Sequence, residues 1–183
     1  FQDWGLTLAS ESADELVFEC LNGCRVVVAA MDKPGLPPAI EEGPTLREVV
    51  WGVESEADLD RYADAIRHDP GFVDAMVDGA RRVGCADPNG LAVRLQVTRK
   101  HDVPEVQSAV MNTWTNKGRI NQPAPVYERA TPIEVGHVVF FVADVKSVEA
   151  FYASRFGFVS SDRYPGRGAF MRCADEGGHR DLF

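Results

Sequence analysis

Between residues 46 and 99 the period of the apolar residues changes twice, and that change limits the fold more than composition does. "LREVVWGVES" has the β-branched run of a strand. "SEADLDRYADAIR" then places Leu59, Tyr62, Ala63 and Ile66 at i, i+3, i+4 and i+7, one face of a helix. Ser55 followed by Asp58 gives that helix a capping-box-like start. From Gly71 onward the pattern returns to strands, with a turn at "DPNG" and a final run "LAVRLQV". A helix with one apolar stripe, set between strands, has to cover a face of their sheet. The segment reads as a β-α-β-β-β module.

The pattern recurs further on. "HVVFFV" reads as a strand, Asp144 can cap a helix, and Val148, Phe151 and Tyr152 give that helix its apolar stripe. Gly157 suits a left-handed stop. "GRGAFMRCADEGGHRDLF" supplies a strand, a Gly-Gly turn and the start of another strand. Near the N-terminus, Asn22-Gly23 between "ELVFEC" and "CRVVVAAM" is a strong hairpin signal. "FQDWGLTLASESADELVFEC" echoes "FYASRFGFVSSDRYPGRGAFMRC": aromatic, aromatic-Gly-apolar, a polar stretch, then a strand ending in Cys. Repetition of one supersecondary unit makes the architecture modular. "DKPGLPPAIEEGP" must be a loop, and from about His101 to Arg129 the periodicity fades into a surface-packed linker.

The 183 residues are enough for a real core, and no apolar window spans a membrane. A net charge of −9 without a Lys/Arg cluster argues against nucleic acid and anionic membrane surfaces. Cys20 and Cys24 form C-x3-C, but no second pair or matching histidines follow at zinc-site spacing, so the four cysteines read as structural thiols. Reduced thiols fit a cytoplasmic location. The chain starts at Phe1 rather than Met, and is expected to be incomplete at both ends.

Repeated β-α-β-β-β modules with "FYASRFGF" closing the helix resemble the vicinal oxygen chelate superfamily. That family includes glyoxalase I, the fosfomycin and bleomycin resistance proteins, and the extradiol ring-cleavage dioxygenases. The layout looks most like the two-domain extradiol enzymes, with four modules in sequence. The resemblance implies an α+β fold of repeated βαβββ modules forming two open-barrel domains. Phe1–Met31 would be the end of module one, residues 46–99 module two, and residues 133–183 most of module three. It implies an N-terminal, non-catalytic domain over 1–99, a linker over 100–131, and the start of a metal-site domain over 132–183.

The resemblance also implies a metal held by two histidines and a glutamate. That set suits Fe(II), with Mn or Zn as other divalent choices. His137, in "GHVVFFV", stands at the first-ligand position; its bland reading is a structural or exposed strand histidine. His179, in "GGHRDLF", matches the region of the second ligand, yet the family most often has its histidine where Arg180 stands. Period 2 puts His179 and Arg180 on opposite faces. Either a bulge turns His179 inward, or Arg180 faces the cup, where it could hold a carboxylate or phenolate. The expected glutamate, from module four, is not among these residues. Extradiol enzymes usually carry an acid-base histidine before the second ligand, and none lies between His137 and His179. Tyr164, in "DRYPGRG", is the candidate there, although an ordinary pKa of roughly 10 makes it a poor unaided base; its bland reading is a loop residue. Arg94 stands where family members with a live site often have Glu, and it cannot ligate a metal.

These readings converge on an Fe(II)-dependent extradiol-type dioxygenase that cleaves a catecholic or hydroquinone ring, with a small aromatic and O2 as its partners. The alternatives are a non-oxidative metalloenzyme of the same superfamily, such as a lyase, isomerase or glyoxalase-like protein, and a metal-free binding module. Exposed strand edges favour a homo-oligomer.

Overall fold

The computed structural model describes residues 1–104, 121, 128–129, 131–174 and 181–183. By contact the chain groups into two compact units, Phe1–Ala29 with Lys100–Val135, and Ala30–Arg99 with Gly136–Phe183. The division at 99 and 131 is one by repeat rather than by contact, and stands as an expectation.

The first unit holds an antiparallel sheet of β1 (Thr7–Glu11), β2 (Glu15–Glu19) and β3 (Arg25–Ala29), in that order. The expected Asn-Gly turn joins β2 to β3, with Gly23 at φ +86°, where a side chain would be strained. A small cluster of Leu6, Phe18 and Cys20 forms its core. Asn22 is buried, and every polar group it carries is engaged. Its N–H donates to Ile133 O at 3.0 Å, and its carbonyl accepts from His101 N at 3.0 Å. Its amide nitrogen donates to Glu134 at 3.3 Å and its side-chain oxygen accepts from Cys24 N at 3.0 Å. The turn thus ties down His101, at the start of the expected linker over 100–131, and Ile133 and Glu134, just past its end; the linker's middle lies mostly outside the described residues.

The second unit contains the module read over 46–99. Its elements are β4 (Glu48–Val53), α1 (Glu56–Ile66), β5 (Val73–Val77), β6 (Ala80–Ala86) and β7 (Ala92–Val97), with strand order β4-β7-β6-β5. β4 and β7 are parallel and the other pairs antiparallel. Both arms of the capping box form: Asp58 N donates to the Ser55 hydroxyl, and Ser55 N donates to the Asp58 carboxylate. Leu59 and Ile66 are fully buried, with Tyr62 and Ala63 packed beside them. Full burial of one such aliphatic side chain contributes about 1.5–3 kcal/mol.

The later module repeats this plan. Asp144 caps α2 (Val145–Phe156), Gly157 ends it at φ +73°, and β8 (Val159–Tyr164) pairs with β9 (Gly168–Arg172). "HVVFFV" forms one parallel bridge, Val138 with Leu182, rather than a full strand. Among the described residues its partner is the segment 181–183, which also pairs antiparallel with Met171. The resulting order is 137–140, 181–183, β9, β8, the same as β4-β7-β6-β5. The two modules share one core: Leu59, Ile66, Val83, Val93 and Leu95 from one, Val148, Tyr152, Phe156, Phe158, Met171 and Leu182 from the other.

The repeat reaches into local geometry. Gly5, Gly71 and Gly157 all have positive φ, at +94°, +68° and +73°. Each leads, two residues later, into β1, β5 or β8. The expected polar stretch after Gly5 is itself the strand β1, paired with β2 as β8 is with β9. Even the register breaks correspond, between Leu8 and Ser10 and between Ser160 and Asp162. Among the described residues the architecture is mixed α and β, mostly strand with two helices. Among the described residues no sheet closes into a barrel, and no helix is long and apolar enough to cross a membrane.

Candidate metal centre on the later module

The sheet's alternation assigns the faces. Phe140 and Val142 pack into the core beneath α2, as do Met171 and Leu182. Successive strand residues point to opposite faces, so His137, Val139 and Phe141 occupy the face turned away from the helix. All three are exposed, Phe141 to 89%. The backbone holding them is well tied: Val138 N donates to Asp181 O at 2.9 Å, Phe183 N to Val138 O at 3.0 Å, and Phe140 N to Phe183 O at 2.7 Å.

Phe170 and Phe183 belong to the same outer face and stack at 4.1 Å with a 12° tilt. Tyr164 meets Phe170 edge-on at 5.4 Å. Gly168 makes this possible, because a Cβ there would come within 2.8 Å of the Phe183 ring. Tyr164 lies on β8, the strand farthest from His137. Three strand spacings separate them, about 14 Å, so the two share a face without touching. Asp181 directs its carboxylate at Cys173, accepting from its N–H at 2.9 Å and its thiol at 3.2 Å. Asp181 N and Leu182 N both donate to Met171 O, at 2.8 and 3.0 Å, a two-against-one irregularity.

His179 and Arg180 lie outside the described residues. Among the described residues no group of three His, Cys, Asp or Glu is placed to hold a metal ion. Of the two expected histidine ligands, His137 alone lies among the described residues, exposed on the outer face.

The corresponding face of the earlier module is closed by charge. Glu48 accepts from Arg82 at 3.0 Å and lies 3.6 Å from Arg94. Arg94 also donates to the carbonyls of Cys85, at 2.9 Å, and Val93. Burial pulls the Arg94 guanidinium below its ordinary range, opposed by the Glu48 charge, while burial pushes the Cys85 thiol up to about 11. Sequence reading missed Glu48 altogether. The signal is positional: Glu48 stands seven residues before the cap Ser55, as His137 does before the cap Asp144.

No protein-family model matches the sequence. No curated protein matches it either. Solved structures do match. The Mn(II)-bound glyoxalase from Novosphingobium aromaticivorans superposes with a TM-score of 0.70 at 16% identity, over 99% of this chain and 53% of that one. BphC, a halotolerant catechol dioxygenase, gives 0.62 at 20% identity, over 99% of this chain and 59% of its own. A catechol 2,3-dioxygenase gives 0.62 at 18%, over 99% and 57%. The chain spans between half and three fifths of the length of these proteins. Identity this low makes the likeness one of fold: the chain shares the fold of these glyoxalase and catechol dioxygenase structures.

Proposed function

We propose that the protein is an extradiol-type dioxygenase, using a divalent metal, Fe(II), on a catecholic or hydroquinone ring. One observation carries the reading: the later module repeats the earlier one, yet places His137 on an open, aromatic face where the earlier module has a neutralised Glu48. His137 would be one ligand and His179 another, with Arg180 directed at an anionic oxygen. The third ligand in this reading would be a glutamate. Bound there, Fe(II) would act as a Lewis acid and as a template for catechol oxygens and O2.

The chain's own residues supply the rest. Phe141, Phe183 and Tyr164 present ring faces and edges that suit a flat aromatic substrate, with the buried Phe170 backing Phe183. Tyr164 has a hydroxyl on that wall, and its distance from His137 makes it an orienting group for the far side of a ring. The test is iron content per chain together with O2 uptake on a panel of catechols. Near-stoichiometric iron with ring-cleavage absorbance supports the reading.

The likeness to the Mn(II)-bound glyoxalase favours a second reading, a metalloenzyme without O2 chemistry. Stoichiometric metal with no O2 uptake on any catechol would select it. Absence of both metal binding and activity would leave a metal-free binding module.

A further inference from the structure

The turn between β2 and β3 brings the C-x3-C pair together. Glu19 and Arg25 are cross-strand partners, and their side chains meet at 2.8 Å. Cys20 and Cys24 form the next position towards the turn, on the opposite face of the hairpin. Cys20 N donates to Cys24 O at 2.8 Å. Both side chains pack in the same small cluster, against Leu6 and Phe18. Directly opposed residues of an antiparallel pair have Cα atoms about 4.5–5.5 Å apart. That lies within the span of about 4.4–6.8 Å that a disulfide bridges. Both thiols are reduced, Cys20 buried and Cys24 half-buried.

We propose that Cys20 and Cys24 are a reversible redox pair, closed by hydrogen peroxide into a disulfide within the hairpin. Peroxide reaches the more exposed Cys24. The Cys24 thiolate takes one oxygen as the O–O bond breaks, giving a sulfenic acid and, with the thiol's proton, water. The Cys20 sulfur then attacks the Cys24 sulfur. The S–S bond forms, the S–O bond breaks, and hydroxide leaves with the Cys20 proton as a second water. The two thiols lose two electrons and the peroxide gains them. Burial, then the neighbouring Cys24 and Glu134, hold the Cys20 thiol above its ordinary range, so Cys20 stays protonated until its partner is oxidised.

The pair brackets a turn that holds another segment of the chain. Leu21 N and Asn22 N, between the two cysteines, donate to Pro132 O and Ile133 O at 3.1 and 3.0 Å. Closing the disulfide clamps the loop on which residues 132–134 are seated. The proposal is independent of the dioxygenase reading.

The test starts from a Cys173→Ser protein, which removes the exposed competing thiol. Cys20 and Cys24 lie in one tryptic peptide, ending at Arg25. Peroxide should lower that peptide's mass by about 2 Da, reversibly with dithiothreitol. Adding Cys24→Ser should abolish the loss and leave Cys20 alkylatable. A peptide that gains oxygen without losing about 2 Da overturns the proposal, as does linkage to Cys85 or to a second chain. The measurement on the parent decides the matter even if the double variant does not fold.

Discussion

The two modules of the second unit have one plan and two surfaces. Both place a valine of the first strand against the last, Val49 with Val93 and Val138 with Leu182. Both bury the fourth residue of their helix, Leu59 or Val148. These are the residues facing the helix. The alternate residues differ: Glu48 pairs with both Arg82 and Arg94 in one module, while His137, Val139 and Phe141 stand open in the other. Because a strand has two independent faces, one can preserve the fold while the other changes chemistry.

The strongest break in that comparison is His137→Ala. If the outer face of the later module holds the metal, this variant should weaken metal binding and turnover by more than about 100-fold. His137 is exposed, so stability should move by no more than about 0.5 kcal/mol. Metal content and a urea titration measure the two separately. Unchanged metal content and activity would remove His137 from the site and with it the proposed function.

Next in size is a pair of glycines. Gly84 underlies Arg94: a Cβ would come within 2.1 Å of Val93 O and 2.6 Å of Arg94 Cδ. Gly136, beside His137, has nothing within 4 Å of a built Cβ. Gly84→Ala should cost about 2–3 kcal/mol through overpacking, and Gly136→Ala less than about 0.5 kcal/mol. Equal costs from chemical denaturation would mean that the earlier module's outer face is not packed as described.

Glu48→Ala should cost about 1–2 kcal/mol, because it leaves the half-buried Arg94 without its counter-charge. It should leave metal content unchanged. A loss of metal comparable to that of His137→Ala would show that the earlier module is not chemically silent.

The helix-facing half of this arrangement was legible beforehand. Ser55, Asp58, Asp144 and Gly157 act through near neighbours in sequence, and the stripe from Leu59 to Ile66 repeats with the helical period. The Asn22-Gly23 turn is equally local, although the tie from Asn22 to Glu134, 112 residues away, is not. β1 escaped notice because "TLASE" has one large apolar residue, Leu8, and reads as polar. The outer faces were harder. Glu48 meets Arg82 across 34 residues, and nothing local marks a glutamate as half-buried. His137 was singled out by module order, not by its neighbours, and the geometry of His179 and Arg180 lies outside the described residues.

The smallest expected effect lies where the modules meet. Asp87, in the β6–β7 turn, accepts from Asn89 N and Leu91 N at 2.8 and 2.9 Å and lies 3.5 Å from the Tyr152 hydroxyl of α2. Burial pushes its carboxyl above the ordinary 3.8, against the pull of those hydrogen bonds. The folded state therefore holds this proton more tightly than the unfolded chain does. Below pH 3.8 both states are protonated and the preference is fully present. As pH rises through the folded value, the folded state must bury a charge and that stability is lost. Asp87→Asn carries no such proton. Its stability relative to the parent should improve as pH rises through this window, then level off, whatever constant offset the altered hydrogen bonds impose. Urea midpoints of both proteins across the window measure that difference. A difference that does not change with pH would mean that Asp87 is ionised without penalty, and that its contact with Tyr152 is wetter than the packing of the two modules implies.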